Sequence, residues 1–244
     1  MSKPFWQIIT IARTEFLLRD QGTFLGFLWT LINPLLLFVS LYGVFYNSTL
    51  STSTAYATYL LAGMLLWNFF AQATSNLGVL ILTRGQYLHS STVTIPVLMI
   101  AALVVQCCIS ICEALIGFAL LALIFHTPVI ALLHYITGVI FIMPLVLLCG
   151  SLLIWLQSRL NDTARLWGLA LRIGFFLTPI FYYQANHPLI IAAQRYNPLI
   201  PILALARGEL VPSSIYISTT ILLCAAVVAV TITEKNRARL VELQ

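Results

Sequence analysis

Glu113 and Arg172 are charged side chains that fall well inside the expected spans of this sequence. A carboxylate at membrane depth is costly and marks a functional hypothesis by default, either a proton relay or a hydrogen-bonded network. Gln106 lies seven residues before Glu113 on the same helical face and can share such a network. Arg172 stands about 9 Å inside its expected span, where an arginine snorkels to the headgroups or lines a polar cavity. The remaining acids, Glu15, Asp20, Asp162, Glu209, Glu234 and Glu242, are scattered. The four histidines, His89, His126, His134 and His187, form no HExxH pair. No Walker A pattern occurs, so ATP is not expected to bind this chain by that route. No catalytic residue and no metal site are expected.

Aromatic side chains are the stronger signal. The stretch LRIGFFLTPIFYY, residues 171–183, holds five rings, a proline and an arginine. Tyr42 and Phe45 fall in the first apolar run, and Trp67, Phe69 and Phe70 in the second. The interfacial aromatic belt accounts for Tyr46, Tyr182 and Tyr183 better than for Trp67 to Phe70. Rings without fixed charge suit a substrate with apolar C–H faces, and sugars have them. The candidate channel residues are therefore Tyr42, Phe45, Trp67, Phe69, Phe70, Phe175, Phe176, Phe181 and Tyr182.

These residues need elements to carry them. The chain has 244 residues, 61% hydrophobic and 8% charged. A globular domain would carry about a quarter charged residues. The expected class is an all-α integral membrane protein, because the alternation of a barrel is absent. The cysteines Cys107, Cys108, Cys112, Cys149 and Cys224 all sit in apolar runs, without metal-ligand spacing. Residues 1–20 have no continuous apolar core and no small-residue cleavage site, so no cleavable signal is expected.

A window of about 20 residues yields six expected spans, at roughly 27–46, 56–73, 95–125, 129–156, 166–183 and 215–233. A seventh apolar stretch, 189–206, is broken by Arg195, Asn197, Pro198 and Pro201 and reads as a re-entrant pair of short helices. Residues 1–22 form a separate amphipathic element. Its apolar face is Phe5, Ile8, Ile9, Ala12 and Phe16, with Lys3, Gln7, Thr10 and Thr14 opposite. Lys and Arg concentrate before span one, after spans two and four, and in the tail, so both termini are expected to be cytoplasmic.

Four segments resemble one family. They are LLRDQGTFLGFLWTLINPLL (17–36), YLLAGMLLWNFFAQATSN (59–76), RLNDTARLWGLALRIGFFLTPIFYY (159–183) and YNPLIPILALAR (196–207). In this order they are similar to the ABC-2-type permeases that export bacterial polysaccharides such as O-antigen, capsule and teichoic acid. The resemblance implies a homodimer in the bacterial inner membrane, with two copies of a separate ATPase subunit that holds ATP and magnesium. This chain would bind no cofactor and no nucleic acid. The resemblance also implies a coupling element at about 82–94, with Arg84, Gln86, Tyr87 and His89 as candidates. An outer gate would involve Tyr196, Asn197, Pro198 and Arg207. Arg13, Arg19 and Arg172 are candidates for a lipid head group at the cytoplasmic entrance. The coupling loop departs from the family pattern in carrying only Arg84 as a fixed positive charge. The alternatives are an ABC-2-type exporter of a lipid or small drug, and a proton-coupled carrier using Glu113.

Overall fold

The computed structural model describes residues 3–19, 24–45, 53–89, 93–183, 187–211 and 213–242. The described residues form helices joined by short connections, with no strand among them. In chain order the helices are α1 (Lys3–Arg19), α2 (Phe24–Phe45), α3 (Ser53–Gly78), α4 (Leu80–His89), α5 (Ile95–Phe125) and α6 (Ile130–Gln157). They continue with α7 (Thr163–Leu177), α8 (Pro188–Arg195), α9 (Leu199–Ala206), α10 (Ser214–Lys235) and α11 (Arg237–Glu242).

Three helices, α5, α6 and α10, are long and apolar enough to cross a membrane. The architecture is therefore that of a helical membrane protein. At 1.5 Å per residue α5 reaches about 46 Å, beyond the roughly 30 Å hydrocarbon core. The third and fourth expected spans coincide with α5 and α6 to within a residue at each end. Within α2, the shorter segment Ile32–Phe45 is apolar. Helix α3 is 26 residues long but carries Asn68, Gln72 and Asn76 on one face.

The fifth expected span is corrected. The apolar run predicts a span through Tyr183 that includes Pro179. Instead α7 ends at Leu177, after 15 residues and about 22 Å. Thr178 is extended, with φ −90° and ψ 136°, as a residue before proline prefers. Pro179 has no N–H to continue the ladder, so the helix stops there rather than bending.

Helices α3 and α6 form the centre, with α5, α9 and α10 packed around them. Close approach depends on small residues. A Cβ added at Gly150 of α6 would lie 2.5 Å from Leu77 Cδ1 and 2.8 Å from Leu77 Cβ. One added at Gly138 would lie 2.4 Å from Ala206 Cβ on α9.

The ends of the bundle differ in chemistry. At one end Glu234, near the close of α10, accepts a hydrogen bond from the Ile95 N–H at the start of α5, at 2.7 Å. Helix α11 meets α4 at the same end. At the other end, the start of α3, the segment after α7, and the close of α9 come together. Gly150→Val should lower the melting temperature of the purified protein in detergent, through about 1–3 kcal/mol of overpacking. Gly43→Ala, where nothing lies within 4 Å of the added methyl, should not lower it. Equal melting of the two variants would contradict a Gly150–Leu77 seam.

Candidate functional site

A groove of about 520 Å³ opens between α2, α3 and α7. It combines three kinds of side chain. Trp67, Phe175 and Phe176 supply rings, Asn33, Asn68 and Gln72 supply amides, and Arg172 supplies a guanidinium. Pro34, Leu37, Met64, Ala71 and Leu171 complete the lining. Gly174 lets α7 approach: a Cβ there would stand 2.8 Å from Trp67 Cη2. Trp167 Nε1 donates to Thr74 Oγ1 at 3.0 Å and ties the start of α7 to α3. Arg172 lies nine residues past Thr163, about 14 Å along α7. It is exposed, and none of the ion pairs among the described residues engages it.

The rings expected to form a channel largely meet. Trp167, Phe70, Trp67, Phe175, Phe181 and Phe45 follow one another with successive centroid separations of 6.4, 5.8, 6.1, 5.8 and 5.1 Å. Phe176 and Tyr182 join through Phe175 and Phe181. Phe176 is 64% exposed. The ladder thus runs along the α3–α7 seam and flanks the groove. Tyr42 belongs to a second group with Phe38, Tyr56 and Phe125. Phe69 is apart from both: it is 0% exposed, in the core of the chain. Its position two residues from Trp67 turns it roughly 200° away around the helix.

The gate candidates gather at the tyrosine-rich end. Arg207, just past α9, lays its guanidinium over the Tyr59 ring at 3.4 Å. It donates to the carbonyls of Pro179 at 2.8 Å, Ile180 at 3.2 Å and Tyr59 at 3.3 Å. Tyr59 Oη donates to Pro179 and Tyr182 carbonyls, and Tyr56 Oη to that of Phe181. Gly63 makes room, since a Cβ there would come within 2.6 Å of Arg207 Nη2. Asn197 donates to Thr178 Oγ1 at 3.0 Å, and Gln194 to Tyr182 Oη at 2.8 Å, so α8 and its turn are tied to the same segment. Tyr196 is 84% exposed. Tyr196, Asn197 and Pro198 line a smaller cavity of about 210 Å³ against α10.

At the charged end, Glu15 of α1 and Arg84 of α4 form a 2.8 Å ion pair. Helix α1 packs Ile8, Ile11 and Ala12 against the Ala101, Val105 and Ile109 stripe of α5. Of its expected apolar face, Ile8 and Ala12 meet protein, while Phe5, Ile9 and Phe16 stay exposed. Arg13 is exposed on α1 and is not part of the groove lining. The side chains of Arg19, Gln86, Tyr87 and His89 lie outside the described residues. Burial raises the Glu15 carboxyl above the usual 4.5, with Arg84 pulling it back.

Asn33, Asn68, Gln72, Tyr56 and Tyr59 are not among the candidates that the sequence suggested. The four-residue spacing of Asn68, Gln72 and Asn76 was the signal for the amides. Nothing local marks Tyr59 as the partner of Arg207, which lies 148 positions away.

Arg207→Ala should destabilise the protein by about 2 kcal/mol, because three carbonyls lose a charge-assisted donor. Arg207→Lys should restore little, since an ammonium cannot both stack and donate as a planar fork. Thermal unfolding of both variants checks this, and full rescue by lysine would rule out the planar-fork account. The Glu15 shift also has a pH signature. A carboxyl raised on folding stabilises fully below about pH 4.5 and loses that contribution as pH rises through its folded value. The melting temperature of the wild type minus that of Glu15→Gln should therefore fall over that rise. A flat difference would mean that Glu15 is not buried against α4.

No known protein-family model matches this chain, and no curated protein is found to be similar to it.

Proposed function

We propose that this chain is the membrane-spanning subunit of an ABC-2-type exporter that moves a lipid-linked polysaccharide, most simply of O-antigen type, out of the cytoplasm. The observation that carries this reading is the groove, which joins a ring wall, an amide wall and one arginine. A lipid-linked glycan needs all three: rings for sugar C–H faces, amides for hydroxyls, and a guanidinium for phosphate. A greasy drug would use the rings alone.

In this reading the chain crosses the bacterial inner membrane six times, through α2, α3, α5, α6, α7 and α10, with both termini cytoplasmic. Helices α8 and α9 are the re-entrant pair at the outer face. Two copies assemble around one path, so that the groove and the exposed face of α7 turn toward the partner copy rather than lipid. That arrangement removes the cost of placing Arg172 and three amides in hydrocarbon. ATP with magnesium acts on two copies of a separate cytoplasmic subunit, which docks near α4 and α1. The Glu15–Arg84 pair supports a transmission role for these helices, because it links them directly.

A second reading, a proton-coupled carrier, draws on the hydrogen bond from Asn68 of the groove to Glu113. Transport in cells or vesicles carrying the partner subunit separates the two. The exporter reading expects vanadate to stop surface display of the polymer and an uncoupler to spare it in the short term. Insensitivity to vanadate with collapse by uncoupler would transfer the function to the proton.

A further inference from the structure

Two of the groove amides, Asn68 and Gln72, are not independent side chains. Asn68, Gln72 and Asn76 recur every four residues along α3 and face Gln106 and Glu113 of α5. Hydrogen bonds pass through all five in one direction. Asn76 Nδ2 donates to Gln106 Oε1 at 3.4 Å, and Gln106 Nε2 donates to Gln72 Oε1 at 3.3 Å. Gln72 Nε2 donates to Asn68 Oδ1 at 3.0 Å, and Asn68 Nδ2 donates to Glu113 Oε2 at 3.1 Å. Glu113 and Gln106 are buried, at 2% and 1% exposure, whereas Asn68 and Gln72 also line the groove. The ladder therefore ties two groove-facing amides to two buried anchors.

Packing alone does not call for this arrangement. A seam of small and aliphatic residues would join α3 to α5 without desolvating five polar side chains. The ladder fixes the plane of each amide, and a fixed amide offers a donor beside an acceptor. A hydroxyl both donates and accepts, so it matches that edge. Asn68 and Gln72 stand about 6 Å apart along the helix axis. A sugar ring seated with its C–H face on the Trp67 and Phe175 wall would turn hydroxyls toward them. An acyl chain would gain nothing there and would strip water from both amides.

We propose that Asn68 and Gln72 are the hydroxyl-reading residues of this groove, selecting a glycan-bearing lipid over the bare lipid phosphate, and that Glu113 and Gln106 are positioning residues that hold their amides. This rests on the groove being the substrate path.

The test uses the full chain in nanodiscs and two probes, a polyprenyl diphosphate carrying an oligosaccharide and the same lipid without sugar. Dissociation constants come from titration. The wild type should prefer the glycosylated probe about tenfold, the worth of one or two net hydrogen bonds. Asn68→Leu and Gln72→Leu should each bring that ratio close to one, with binding of the bare lipid unchanged. Glu113→Leu should do the same, whereas Glu113→Gln keeps an acceptor for Asn68 and should retain the preference. That split between two uncharged replacements is what a merely structural carboxylate would not produce. Asn68→Ser stands in if the leucine variant fails to fold, and should also lose the ratio. Folded Asn68 and Gln72 variants that keep the preference would overturn the proposal, as would equal effects of Glu113→Leu and Glu113→Gln. A wild type that binds both probes equally overturns it too, yet leaves the exporter reading standing. A wild type that binds neither probe removes both.

Discussion

Where the chain is surrounded by apolar side chains, every backbone carbonyl outside a helix must find a donor, and the stop of α7 before Pro179 leaves several in a row without a helical partner. Leaving each unmet would cost about 1–3 kcal/mol. The carbonyls of Pro179, Ile180, Phe181 and Tyr182 are met by Tyr56, Tyr59 and Arg207. This requirement draws the start of α3 and the close of α9 onto the segment after α7. It also gives Arg207 a reason to be there, since one planar guanidinium serves several acceptors while lying on an aromatic face. The aromatic residues of the segment then fall into line with those of α2 and α3.

The same economy shapes α7. It is short, and it touches α3 at a few places, chiefly Gly174 against Trp67 and Trp167 against Thr74. Leu166, Leu169, Ile173 and Phe176 remain exposed. A helix held lightly along one edge leaves an opening beside it, and the groove is that opening. Its two walls are opposite in character because α3 presents Trp67 and Asn68 in succession, and successive residues point about 100° apart. At the far end, Glu234 over the start of α5 and Glu15 against Arg84 bind the charged helices together. The molecule thus has a carbonyl latch at one end, an ionic tie at the other, and the groove along the side.

Much of the element order was legible in the sequence. Residues 95–125 and 130–157 are apolar over more than the membrane thickness, so their helices could be bounded to a residue. The broken stretch 189–206 announced two short helices through Asn197 and Pro198, and the structure has α8 and α9 there. The ring-bearing segments were recognisable by composition. Less legible was the face each ring takes. Phe69 and Phe70 are neighbours in sequence, yet one is sealed in the core and the other joins the ladder. Pro179 was visible as a disruption, but whether it kinks or ends a helix depends on donors supplied from elsewhere.

Composition and period, then, determined by themselves that this chain is helical, that it belongs in a membrane, and where its longest helices begin and end, because hydrophobic length is a local property. The tertiary structure alone decided which polar groups meet. Asn68 finds Glu113 across 45 residues, Tyr59 finds Pro179 across 120, and Arg207 finds Tyr59 across 148. Such pairings satisfy buried hydrogen-bonding groups, and satisfaction depends on distance in space, which no local pattern encodes.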